Sequence, residues 1–101
     1  MFNYEDANTK LRQLHDDVLS LLKDKLGKTL IVIYDASCAS GRRMTRTGTL
    51  VKIKEVPYFY REFNDGNLLT DMSYFEIMYE GRKNPQQIMF DQVYKIKMVA
   101  E

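Results

Sequence analysis

The stretch ASCASGRRMTRTG, residues 36–48, holds Arg42, Arg43 and Arg46 among serine, threonine and glycine, with no carboxylate. Arginine forks match phosphate oxygens, and hydroxyls and free loop amides add contacts, so the pattern predicts a solvent-facing hairpin loop suited to an anion. Lys52, Lys54 and Arg61 follow on the next segments, which makes Arg42, Arg43, Arg46, Lys52, Lys54 and Arg61 the candidate anion or nucleic-acid site. Tyr58, Phe59 and Tyr60 lie beside them and offer faces on which the bases of a single strand would stack. Charge is distributed to match. Residues 28–61 hold seven bases and two acids, whereas residues 1–27 hold four bases and five acids and residues 62–101 four bases and seven acids, within a net charge of +1.

Other chemistries find less support. Cys38 is the only cysteine and His15 the only histidine, too few for a structural zinc site and incapable of an internal disulfide. Ser37, Cys38 and Ser40 share a small-residue loop, but a nucleophile needs an oriented base, and His15, beside Asp16, reads as a helix-edge residue between the apolar stripe and solvent. Cys38 and Arg43 have the spacing of a phosphatase loop without the histidine that precedes its cysteine. Asp16 and Asp17 are adjacent on a helix and point about 100° apart, so they cannot share a substrate atom. Glu76 and Glu80 alternate with Met78 along a strand, as on a solvated face. The segment NDGN (64–67) lacks the ligand pattern of a calcium loop and reads as a turn. The expectation is a protein that is not an enzyme and carries no metal and no cofactor.

Tyr4, Tyr58, Tyr60, Tyr74, Tyr79 and Tyr94 exceed what a small core needs, and tyrosine with arginine is a composition enriched at interfaces. Tyr58, Tyr60 and Tyr74 are the candidate interface residues. Protein–protein recognition or self-association is the leading expectation, with single-stranded nucleic acid the alternative partner. No apolar run approaches the roughly 18 residues that span a bilayer, and acids stand where a signal peptide carries its basic start. A cytoplasmic protein without a membrane partner is expected.

These groups must be positioned by one domain, residues 1–101, since 101 residues leave no room for a second core. Leu11, Leu14, Val18, Leu21 and Leu22 recur at spacings of three and four, predicting an N-terminal helix within residues 1–27, capped by Asn3 or Asp6 and stopped at Gly27. From Lys28 the period changes. TLIVIYD (29–35) is a strand; MTRTGTLVKIKEV (44–56) is a strand with Gly48 at a bulge or bend; YFYREF (58–63) and SYFEIMYE (73–80) are aromatic strands joined by the loop around Asp65 and Gly66. QIMF, a tight turn at DQ, and VYKIKMV close the chain. One helix, then five or six short strands in residues 28–101, predicts a mainly β fold: a small, strongly bent antiparallel barrel with a helix at one end.

The helix ending in LGK (26–28), then LIVIYD, GTLVKI (48–53) and IMFDQVYKI (88–96) resemble the Sm-like and SH3-like small β-barrels, across nearly the whole chain. IVIYD (31–35), GTLVKI and IMFDQVYKI are similar to bacterial YolD-like proteins, small Sm-like barrels associated with error-prone DNA repair polymerases. The resemblance implies a barrel that serves RNA, DNA, peptide or protein partners and does not by itself choose between them.

Overall fold

The computed structural model describes residues 2–36 and 41–99. Helix α1 (Tyr4–Leu22) begins where the Asn3 side chain accepts a hydrogen bond from the Asp6 amide, and Glu5 and Asp6 in its first turn suit the positive end of the helix dipole. It stops at Leu22, five residues before Gly27. Turns at Lys25 and Lys28 bridge the gap, and Gly27 takes its positive φ of 82° in the loop, where its amide bonds the Leu50 carbonyl. Val18 and Leu22 are buried and Leu14 packs beside them, but Leu21 points to solvent. The fourth position of the buried stripe is held by His15, which is 7% exposed and not at the helix edge.

Seven strands follow: β1 (Thr29–Asp35), β2 (Arg43–Lys54), β3 (Phe59–Phe63), β4 (Gly66–Thr70), β5 (Tyr74–Met78), β6 (Gln86–Met89) and β7 (Val93–Met98), with a 3-10 turn (Phe90–Gln92) between the last two. Five of them form an antiparallel sheet in the order β6-β5-β2-β1-β7. The twelve-residue β2 is shared, pairing with β1 through residues 43–49 and with β5 through residues 49–54. Gly48 sits at that exchange because a Cβ there would lie 2.7 Å from the Met78 carbonyl oxygen, and the bulge falls just beyond it, between Leu50 and Lys52. Among the described residues the sheet does not close into a barrel; β6 and β7 are its open edges.

Alternation gives the sheet two unlike faces. Leu30, Val32, Tyr34, Leu50, Phe75, Ile77 and Ile88 point inward and, with Val18, Leu22 and Phe90, make the core. Each such aliphatic or aromatic side chain contributes about 1.5–3 kcal/mol by leaving water. The remaining strands, β3 and β4, form a separate two-stranded ribbon, so the segment between the two sheet strands β2 and β5 holds an extra hairpin. The second strand of that hairpin begins with Gly66 and Asn67, turn-formers in sequence, which is why residues 58–80 read as two strands instead of three.

Candidate interaction site

The ribbon stands on the helix more than on the sheet. Among the described residues the backbone of β3 lies close to that of β4, whereas β4 also packs on α1. The Cα radius of gyration, 14.8 Å, exceeds the roughly 13 Å expected for a compact chain of about 100 residues, in keeping with such an appendage.

Asn8 makes the attachment. Its side-chain amide donates to the Asn67 carbonyl at 3.0 Å and accepts from the Leu69 amide at 2.8 Å, the two bonds that a neighbouring strand would make. Thus one edge of the ribbon is sealed by a side chain. In an antiparallel pair, residues alternate between exchanging hydrogen bonds and pointing their main-chain groups outward. Since Asn67 and Leu69 point outward, their register partners Glu62 and Tyr60 direct their own amides and carbonyls to the opposite edge, which has no partner strand among the described residues. All five residues of β3 are exposed, including Phe59 at 44%, Tyr60 at 51% and Phe63 at 49%. Tyr4 stacks on Phe63 at 5.8 Å and donates to Asp65 at 2.9 Å, while Arg12 donates to the Tyr60 hydroxyl at 2.9 Å. These contacts fix the ribbon without covering its edge.

At the foot of the ribbon lies a polar cluster that the sequence reading missed. Asp71, immediately after β4, is buried and accepts from the Ser73 amide at 3.0 Å through Oδ1. Its Oδ2 lies 2.7 Å from His15 Nδ1, and Glu55 Oε1, just after β2, lies 2.9 Å from His15 Nε2. Ser73 Oγ accepts from the Val56 amide at 2.9 Å, tying the strand entering the ribbon to the one leaving it. The His15 ring packs between Tyr58 and Phe90, with centroids at 5.3 and 5.0 Å. Burial is the largest single influence on His15 and disfavours its charge, but the hydrogen bonds and charges of Asp71 and Glu55 together outweigh it and hold the pKa above the ordinary 6.5. His15, Glu55, Val56, Pro57 and Tyr58 line an open pocket of about 310 Å³. His15 Nε2 faces a carboxylate and not a hydroxyl or thiol, so the cluster is arranged as a clamp. The signal was present in sequence: His15 completes the 11-15-18-22 stripe that Leu11, Val18 and Leu22 define.

Of the six cations proposed from sequence, Arg43, Lys52 and Lys54 share one face of the sheet, whereas Arg46 and Arg61 lie apart from them. Arg42 is exposed beside the loop, and residues 37–40, with Ser37, Cys38 and Ser40, lie outside the described residues. Arg43 pairs with Asp35 at 3.1 Å, and its guanidinium lies 3.7 Å from the centroid of the Tyr94 ring. Arg46, three residues on, is opposite Val32 and therefore on the other face; its guanidinium carbon lies 5.8 Å from the Tyr79 ring centroid, and its Nε is buried without a hydrogen-bond partner among the described residues. Lys52 and Lys54 share the outward face with Arg43, opposite Glu76 and Tyr74, and Lys95 and Lys97 join them across β1 from β7. Arg61 belongs to the ribbon. Of the tyrosines, Tyr58 and Tyr60 lie at the ribbon, whereas Tyr74 is on the outward face of the sheet.

Compared with protein-family models, curated proteins and solved structures, the chain matches none. No helix is long and apolar enough to cross a membrane.

Proposed function

We propose that this chain is a non-catalytic interaction module that recognises protein, in the first place a second copy of itself, by adding a strand to the free edge of β3. The observation that carries the reading is the unpartnered edge itself, where the main-chain groups of Tyr60 and Glu62 face solvent between three half-exposed aromatic side chains. Edge strands joined in this way gain affinity from main-chain hydrogen bonds and specificity from alternate side chains. A two-fold pairing centred on Tyr60 places the two Tyr60 rings opposite each other, Phe59 opposite Arg61 of the second copy, and Tyr58 opposite its Glu62. That is an aromatic pair flanked by cation–π and hydroxyl–carboxylate pairs. The five-stranded sheet we read as an Sm-like or SH3-like barrel carrying this ribbon as an insertion, a reading supported by the last strand returning to pair with the first.

Sedimentation equilibrium over about 1–200 μM protein, spanning ordinary transient affinities, tests the proposal. The wild type is expected to dimerise, and Glu62→Pro, which removes an outward amide but no bond to β4, is expected to remain a monomer. A wild type that stays monomeric throughout, or a Glu62→Pro dimer of unchanged strength, overturns self-association through this edge.

A second reading is favoured by one observation: among the described strand residues, Arg43, Lys52, Lys54, Lys95 and Lys97 share the outward sheet face with two acids, Asp35 and Glu76. We infer that single-stranded nucleic acid is the alternative partner for that face. Anisotropy with labelled RNA and DNA at low and moderate salt should then show affinity that falls with salt and weakens in Lys95→Glu. Binding indifferent to both refutes it.

A further inference from the structure

We propose that His15 is a pH-operated latch on the foot of the β3–β4 ribbon. The ribbon has two legs, residues 55–58 entering and residue 71 leaving, and one imidazole on α1 holds both. Each ring nitrogen faces a carboxylate oxygen, and carboxylates only accept, so this arrangement is complete only when both nitrogens carry protons. A neutral ring keeps one N–H.

Which leg is released follows from burial. The Asp71 side chain is 1% exposed, and leaving it without a donor is costly, so the neutral ring retains Nδ1–H toward Asp71. The proton lost to solvent is the one on Nε2. Its lone pair then faces Glu55 Oε1, acceptor against acceptor, and Glu55, 55% exposed, turns to water. The entering leg, Glu55 to Tyr58, loses its hydrogen bond to the helix and keeps only the packing of Tyr58 on the ring, and Nε2 opens onto the pocket that this leg lines.

The other groups around the ring set the direction. Asp91, on the 3-10 turn that packs against α1, lies near Asp71; burial first and the Asp71 charge second push its own carboxyl up. On α1, Arg12 and Asp16 act on Tyr58 with opposite signs. Acidic groups thus outnumber basic ones around His15 and favour its charged form. The latch itself does not depend on what the edge binds; its effect on self-association rests on the reading above.

The test uses the intact chain at a dilution where it is monomeric, so that a failure of self-association does not bear on it. The His15 titration is followed by NMR, and amide protection factors, corrected for intrinsic exchange, are compared at about pH 5.5 and about pH 8.5 on either side of an ordinary histidine pKa. Protection across residues 59–70 is expected to fall about fivefold at the higher pH, the loss of one hydrogen bond, while Leu30 and Val32 in β1 change less. In Glu55→Gln, His15 should titrate lower and the ribbon should lose most of its pH response. His15 titrating at or below 6.5, a ribbon indifferent to pH, or an equal loss of protection in β1 overturns the latch. Sedimentation at the same two pH values then tests its link to association separately.

Discussion

Replacing Asn8 by alanine tests whether the helix closes the ribbon. The substitution removes both bonds to β4, to the Asn67 carbonyl and from the Leu69 amide, and leaves the core of the sheet untouched. Each such bond contributes about 0.5–1.5 kcal/mol net, so the pair contributes about 2 kcal/mol, or roughly a thirtyfold change in a local opening equilibrium. Alanine is a good helix former and the first half of α1 is largely exposed, so the helix itself should not suffer. The readout is residue-resolved amide exchange. Protection at Leu69, whose side chain is 4% exposed, should fall by that factor, with Leu68 and Thr70 following, while Val32 and Ile77 keep theirs. Asn8→Asp refines the test. It still accepts from the Leu69 amide but sets a carboxylate against the Asn67 carbonyl, so Leu69 should retain more protection than in the alanine variant. Unchanged exchange at Leu69 in Asn8→Ala, or a fall shared equally with Val32, would refute the argument that this side chain acts as the ribbon's third strand.

Gly48→Ala should destabilise the whole domain by about 1–3 kcal/mol in urea denaturation, because its Cβ meets the Met78 carbonyl oxygen at the start of the β2–β5 pairing. Gly27→Ala meets nothing within 4 Å and should cost only the roughly 1–2 kcal/mol of a left-handed backbone at a φ of 82°. A Gly48→Ala variant as stable as wild type would remove the steric account of that glycine. His15 links stability to pH with a definite sign. Its folded pKa is raised, so its contribution is fully present below the ordinary 6.5 and is lost as pH rises through the higher folded value. Chemical denaturation across that window should show wild-type stability declining with pH and a flatter profile in His15→Gln; equal slopes would exclude the linkage.

Local signals made most of the sheet legible. TLIVIYD is β1 at both of its bounds, the apolar stripe located α1, and the short strand, tight turn and closing strand at the C-terminal end are β6, the 3-10 turn and β7. What escaped depends on partners far apart in the chain. Asp71 and Glu55 are 56 and 40 positions from His15, and nothing at positions 14–16 announces them. A histidine within a leucine stripe reads as an edge residue unless a buried carboxylate is known to wait for it. The arginine stretch divides for the opposite reason. Proximity in sequence suggested convergence, but a strand sends residues three apart to opposite faces, so Arg43 and Arg46 never share a ligand-sized space.

The molecule leaves several strand edges open, and they are not alike. Strand β6 has only four residues, and β7 carries Lys95 and Lys97, the shortness and charge by which proteins keep edges from pairing. The β4 edge is occupied by Asn8. Strand β3 combines an edge unoccupied among the described residues with three large exposed aromatic side chains, Phe59, Tyr60 and Phe63, and its two charged residues, Arg61 and Glu62, then choose the register. Centred on Tyr60, a dimer sets each Arg61 opposite a Phe59 ring; centred on Arg61, it sets the two guanidinium groups against each other. Arg61→Ser separates these. Loss of two cation–π pairs, each worth about 0.5–1 kcal/mol at an exposed site, should weaken a Tyr60-centred dimer roughly five- to thirtyfold. A dimer strengthened by the same substitution would place the axis at Arg61, where removing like charges relieves repulsion, and would rule out the pairing centred on Tyr60.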